Sequence, residues 1–134
     1  MVTAKGSWSD QAITIELLKQ LVEEFVSKRD WAQFHSPKNL AMAIGVEAGE
    51  LMDLFRWHSD MESSRSMLNK AIRKAATEEL SDIVICALSF ANRTGIDIAI
   101  AVKRKIAKNA KKYPVHRYKG ATWRVKNTKR PVHN

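Results

Sequence analysis

Two short acidic runs, Glu47-Ala48-Gly49-Glu50 and Glu79-Leu80-Ser81-Asp82, carry the clearest chemical signal in the chain. Each lies in a stretch whose apolar residues recur at helical spacing. In the first, Leu40, Ile44, Leu51 and Leu54 mark one face, and Glu47 takes the place on that stripe where a further hydrophobe would be expected, with Glu50 one turn on. In the second, Ala75, Glu79, Asp82, Cys86 and Phe90 keep the same rhythm. Burying like charges without a counter-ion is costly, and a hard divalent cation, which prefers carboxylate oxygens, is the simplest remedy at neutral pH. Glu47, Glu50, Glu79 and Asp82 therefore predict a Mg²⁺ site, with Mn²⁺ as a substitute. One such pair of acids is a common accident on an exposed helix. Two pairs, each on an apolar face, are a stronger signal.

The elements that must position these acids read as helices. Thr14 is placed to cap a first helix running to about Lys28, with Leu17 or Leu18, Leu21 and Phe25 on its buried stripe. Residues 29–39 break the period and form a connection, and a second helix is expected from about Pro37 to Trp57. Residues 58–65 read as a polar turn, and a third helix as spanning about Ser66 to Thr94, stopped by Gly95. Asp97 would cap a fourth helix that ends near Lys112, before Pro114. Four helices with short connections and no strand signal predict an all-α four-helix bundle. The second and third helices must then be adjacent for the acids to meet, and Gly49 and Ser81 would ease their close approach. The domain organisation expected is a weakly ordered lead-in at residues 1–13, the helical domain at 14–114 and a basic tail at 115–134, extended or disordered, from which Trp123 would dock.

Composition bounds the alternatives. The 134 residues are 45% hydrophobic with five Gly and three Pro, suiting a single helical domain with a modest core. No apolar run is long enough to cross a bilayer, and the first thirty residues lack the hydrophobic core of a signal peptide, so a cytoplasmic protein without membrane contacts is expected. The lone Cys86 excludes an internal disulfide framework and reads first as a small apolar filler. The net charge of +9 is unevenly spread: residues 101–134 hold twelve Lys and Arg and no acid, whereas residues 1–100 carry a balance of −3. Such a cationic block suits phosphorylated small molecules, nucleic acid or an acidic surface. Lys105, Asn109 and Lys112 would share one side of a helix.

In combination these motifs resemble a known family. The order E-A-G-E, then E-E-L-S-D, then Lys105, Asn109, Lys112, Tyr113 and Pro114 is similar to the MazG-like all-α nucleoside triphosphate pyrophosphohydrolases. Arg29-Asp30-Trp31, Gln33-Phe34-His35, Pro37-x-Asn39-Leu40, Leu54-Phe55-x-Trp57 and Tyr113-Pro114-Val115-His116 narrow the resemblance to the dCTP pyrophosphatase branch, over about residues 14–118. The resemblance implies a homo-oligomer, a tetramer more often than a dimer. It also implies hydrolysis of a (deoxy)nucleoside triphosphate, a pyrimidine such as dCTP foremost, to monophosphate and pyrophosphate, a reaction that cleans or balances a nucleotide pool. Two positions depart from the branch: Val22 stands where the animal enzymes carry a base-contacting His, and Cys86 replaces a tyrosine four residues after the last acid. Both remove a polar contact near the nucleotide, leaving the base preference open.

The residues suit that chemistry. Water attack on the α-phosphorus of a triphosphate needs cations to neutralise its oxygens and a group to orient the water. The four acids would hold the metal, and Glu50 is our choice for contacting the water. Lys105 and Lys112 would add positive charge, Asn109 a neutral donor, and Tyr113 either its hydroxyl or a packing surface. Trp31, Phe34 and Trp57 offer faces on which a base stacks, and His35 a base or phosphate contact. Two rival readings fit less well. A di-iron carboxylate bundle needs Glu-x-x-His on two helices, which neither acidic run supplies. A non-enzymatic nucleic-acid or protein-binding module using the basic C-terminal third would leave four acids on apolar faces unexplained.

Overall fold

The computed structural model describes residues 8–120, which form two units, one up to Ile96 and one from Asp97 on. All regular structure among the described residues is helical, as expected: α1 (Ile15–Ser27), a 3-10 turn (Trp31–Phe34), α2 (Pro37–Asp53), α3 (Asp60–Ser66), α4 (Lys70–Thr94), α5 (Ile98–Lys112) and α6 (Val115–Tyr118). Side chains that satisfy free backbone N–H groups set the helix starts. Thr14 Oγ1 accepts from Leu17 N at 3.1 Å, Ser36 Oγ from Asn39 N at 3.2 Å, and Asp97 Oδ1 from Ile100 N at 2.8 Å. Gly95, at φ 68°, ends α4 in the left-handed conformation that only glycine adopts cheaply.

Several sequence expectations are corrected. Residues 58–65 are not a plain turn, because Ser59 and Glu62 form a reciprocal capping box that starts α3. The Glu62 carboxylate accepts from Ser59 N at 2.8 Å, which holds its pKa below the ordinary value. The expected helix from Ser66 is interrupted, since Asn69 Oδ1 accepts from Ala71 N and Ile72 N and starts α4 afresh. α2 ends at Asp53 instead of Trp57, the chain turning through Phe55 N to Met52 O at 3.0 Å and His58 N to Phe55 O at 2.9 Å. The tail is helical at its beginning, where Pro114 O accepts from Arg117 N and Tyr118 N, and the Tyr113 and Tyr118 rings meet edge to face at 5.2 Å. Residues 1–7 of the lead-in and 121–134 of the tail, with Trp123, lie outside the described residues.

In the first unit α2 packs along α4, and α1 against α4. Asn92 Nδ2 donates to Lys19 O at 2.9 Å and ties α1 to α4. The core consists of Val26, Leu40, Ala76, Leu88 and Ala91. Phe25, expected on the buried stripe of α1, is instead 45% exposed, and Val26 takes the interior place. Nor does Gly49 serve close packing, for a Cβ built there would meet nothing within 4 Å. No single helix among the described residues is long and apolar enough to cross a membrane. With so few buried apolar residues each carries a large share of stability. Leu88→Ala should cost about 2–5 kcal/mol, read as a lowered urea midpoint at unchanged slope, and a loss below about 1 kcal/mol would contradict this account of the core.

Candidate active site

α2 and α4 bring Glu47, Glu50 and Glu79 together. One carboxylate oxygen from each lies within 4.8 Å of the others, with Glu47 and Glu79 half-buried and Glu50 exposed. The helical period explains the pairing: Glu47 and Glu50 are three residues apart on α2, so both face the stretch of α4 that carries Glu79. Among the described residues, the ion pairs join Lys28 to Glu24, Arg56 to Asp53 and Lys74 to Glu78, and none reaches this trio. Desolvation by burial raises the Glu79 pKa, and the charges of Glu50, Glu47, Asp82 and Glu78 raise it further. Asp82, the fourth acid expected in the site, is exposed; it lies outside the close trio, yet acts on it through this field.

This donor set fits a hard divalent cation. Its atoms are all carboxylate oxygens, and ligand oxygens around such an ion sit about 2.0–2.6 Å from it. Opposite ligands are then about 4–5 Å apart, comparable with the 4.8 Å span within which the three oxygens lie. The repulsion evident at Glu79 is what such an ion would relieve.

Beside the trio, the first unit contains a cavity of about 300 Å³ with mostly apolar walls. Phe25 and Trp31 form an aromatic side, their rings edge to face at 5.7 Å. Leu40, Ala43 and Ile85 close the apolar side, while His35, Asn39 and Ser89 bring polar groups to it. Cys86 connects the two features. It lines the cavity, and burial first, then the charges of Glu47 and Asp82, raise the pKa of its thiol, which keeps it protonated at neutral pH. His35 Nδ1 is buried and meets no hydrogen-bond partner, an arrangement that favours a ligand able to supply one.

The structure thus places two of the expected base contacts, Trp31 and His35, on one cavity. It does not bring Trp57 there: that ring is 85% exposed, with the Arg56 guanidinium 5.1 Å from it. Phe34 is likewise exposed and gives only its carbonyl, which accepts from Asn39 Nδ2 at 2.9 Å. Lys105, Asn109 and Lys112 lie on α5 and Tyr113 at its end, in the second unit, where Lys112 Nζ stands 5.2 Å from the Tyr113 ring. Sequence reasoning missed Phe25, Ile85 and Ser89. The sequence reading assigns Phe25 to the buried stripe of α1, and its place six residues before Trp31 is the one signal that could have marked it.

Several known proteins are similar to this chain. The model of the MazG-like family matches residues 42–126. The chain is 42% identical to dCTP pyrophosphatase 1 of Rattus norvegicus over 108 residues, covering 81% of this chain and 64% of that protein. It is 41% identical to dCTP pyrophosphatase 1 of Bos taurus over 120 residues, covering 89% of this chain and 71% of that protein. The chain thus spans just under two thirds of the rat relative's length. The crystal structure of a pyrophosphatase from Archaeoglobus fulgidus superposes with a TM-score of 0.70 at 32% identity, over 84% of this chain and 99% of that one.

The carboxylate field predicts a pH signature. A raised Glu79 pKa means that the folded state holds this proton more tightly than the unfolded state, so the group favours folding at low pH and opposes it progressively as pH rises above about 4.5. In EDTA, Glu79→Gln should therefore raise Tm at pH 7 and do so less at pH 5. Added Mg²⁺ should raise the wild-type Tm more at pH 7 than at pH 5. Equal gains at both values would contradict this reading.

Proposed function

Since the chain belongs to the MazG-like family, we propose that it hydrolyses a (deoxy)nucleoside triphosphate, with dCTP or a related pyrimidine dNTP foremost, to the monophosphate and pyrophosphate. The observation that carries the proposal is the meeting of three carboxylates from two helices next to an aromatic-walled cavity. Nucleotide binding needs both: a place for a planar apolar base and a place for a metal-complexed polyphosphate. The names of the relatives, dCTP pyrophosphatase 1 and pyrophosphatase, support the same reaction class.

In this reading Glu47, Glu50, Glu79 and Asp82 hold Mg²⁺, for which Mn²⁺ substitutes. When bound, the ion supplies positive charge to the phosphate oxygens and lowers the cost of attack at the α-phosphorus. The chain's own residues do the rest. Glu50, the exposed member of the close trio, orients the attacking water and accepts its proton. Lys105 and Lys112 neutralise phosphate oxygens, Asn109 donates a hydrogen bond to them, and Tyr113 contributes its hydroxyl. Trp31, with Phe25 packed edge to face against it, offers an aromatic surface to the base, and His35 offers an unpaired ring nitrogen to its edge. The exposed Trp57 ring would contact the base from outside the described cavity.

We further propose that the helical domain, residues 14–114, acts as a homo-oligomer, a tetramer before a dimer. No large side chain among the described residues is fully buried. Leu68, Met61 and Leu80 are well exposed on the first unit, more apolar surface than a stable monomer usually leaves uncovered.

Two measurements test these proposals. Incubated with dCTP, the protein should release monophosphate and pyrophosphate, not diphosphate and phosphate. Glu47→Gln and Asp82→Asn should each reduce turnover at least about 100-fold, a loss in line with removing a charge-stabilising group from an active site, while leaving the helical circular-dichroism signal near wild type. Activity retained in either variant would remove that residue from the site. Light scattering should report a mass of two or more chains; a monomer at all concentrations would overturn the assembly.

A further inference from the structure

Asp30 has a left-handed backbone, φ 53° and ψ 33°, and among the described residues it is the one non-glycine with positive φ. L-residues avoid this region because Cβ crowds the backbone; Asp and Asn tolerate it best. Such a conformation persists when its surroundings over-determine it, and it concentrates at ligand sites. Here the surroundings are specific. Gln33 Nε2 donates to Asp30 Oδ2 at 2.9 Å and to Asp30 O at 3.0 Å, clasping the start of the 3-10 turn. At its far end Asn39 Nδ2 donates to Phe34 O at 2.9 Å. Before it, the Arg29 guanidinium lies 3.6 Å from the Phe25 ring centre, and Arg29 Nη1 donates to Phe25 O at 3.0 Å.

What this clasped turn carries is the polar and aromatic side of the cavity. Trp31 begins it and His35 follows it, and both line the 300 Å³ space together with Phe25. We propose that Asp30 is a positioning residue for the base cavity: its left-handed turn and its clasp on Gln33 set Trp31 and His35 in place before a nucleotide arrives. The inference rests on the nucleotide reading above and extends it. Asp30 itself lies outside the cavity lining and the carboxylate trio, so it acts on base binding and not on the chemical step. A wall ordered in advance spares the ligand the cost of ordering it.

The test compares Asp30→Ala with Asp30→Asn in the full chain. Asn adopts the left-handed region and its side-chain oxygen still accepts from Gln33, so Asp30→Asn should keep KM within about twofold of wild type. Asp30→Ala loses both, and its KM should rise about tenfold with kcat within about twofold, the pattern of lost binding without lost chemistry. Inhibition should split in the same way: the Ki of 2′-deoxycytidine rises in Asp30→Ala, and that of inorganic pyrophosphate stays. A merely structural role would lower the folded fraction and weaken both inhibitors together. The proposal is overturned by an Asp30→Ala KM within twofold of wild type, by Asp30→Asn as impaired as Asp30→Ala, or by equal loss of both inhibitors. Should wild type release no pyrophosphate from any nucleotide, the nucleotide reading fails. The positioning claim is then judged by quenching of tryptophan fluorescence with 2′-deoxycytidine, and an undiminished or absent response in wild type and Asp30→Ala alike overturns it.

Discussion

The structure of the first unit turns on the repulsion among carboxylates that α2 and α4 force together. Glu47 and Glu50 on one helix and Glu79 on the other share a small volume, without a cationic side chain among the described ion pairs to compensate. A helix pair chosen for stability alone would place apolar residues on this stripe, as α2 does at Leu40. The packing of α2 along α4 must therefore absorb an unfavourable field until a cation arrives, and the pKa of Glu79, raised first by desolvation and then by these charges, registers it locally. That a fold retains such a cost at one place, with its few buried hydrophobes nearby, is the physical reason to regard the place as functional.

The cavity next to the acids is the complementary half of the same design. Its apolar walls come from α1, α2 and α4, and only the short 3-10 turn adds a large ring to them from outside a long helix. Cys86, one turn beyond Asp82 on α4, stands at the boundary between the two halves. Where the resembling branch has a tyrosine, a neutral thiol leaves the boundary smaller and less polar. Under the proposed nucleotide reading, a site so divided would separate recognition from chemistry: the base side would depend on shape and stacking, the acidic side on charge.

Local signals were legible in the sequence and long-range ones were less so. Thr14, Asp97 and Gly95 announce helix ends because a cap is made within four residues of itself. The acidic faces were legible because their period matches that of the apolar residues around them. The start of α3 was not, since a run of serines reads as a turn until Ser59 and Glu62 are seen to bond reciprocally. Periodicity also assigned Phe25 to the interior, because it locates a stripe but not which residue at its edge borders a cavity. The role given to Gly49 failed for a related reason: two helices can bring their acids together without backbone contact at the glycine between them. Trp57 shows the same limit from the other side, its type suggesting a base contact and its 85% exposure keeping it off the cavity.

The central claim, that these carboxylates exist to hold a divalent cation, is tested most directly by titrating Mn²⁺ against the metal-free protein and following free ion by electron paramagnetic resonance. Wild type should show saturable binding, and the combined Glu47→Gln, Glu50→Gln, Glu79→Gln variant should lose it while remaining helical. Absence of saturable binding to folded wild-type protein, or binding undiminished in the triple variant, would contradict the account.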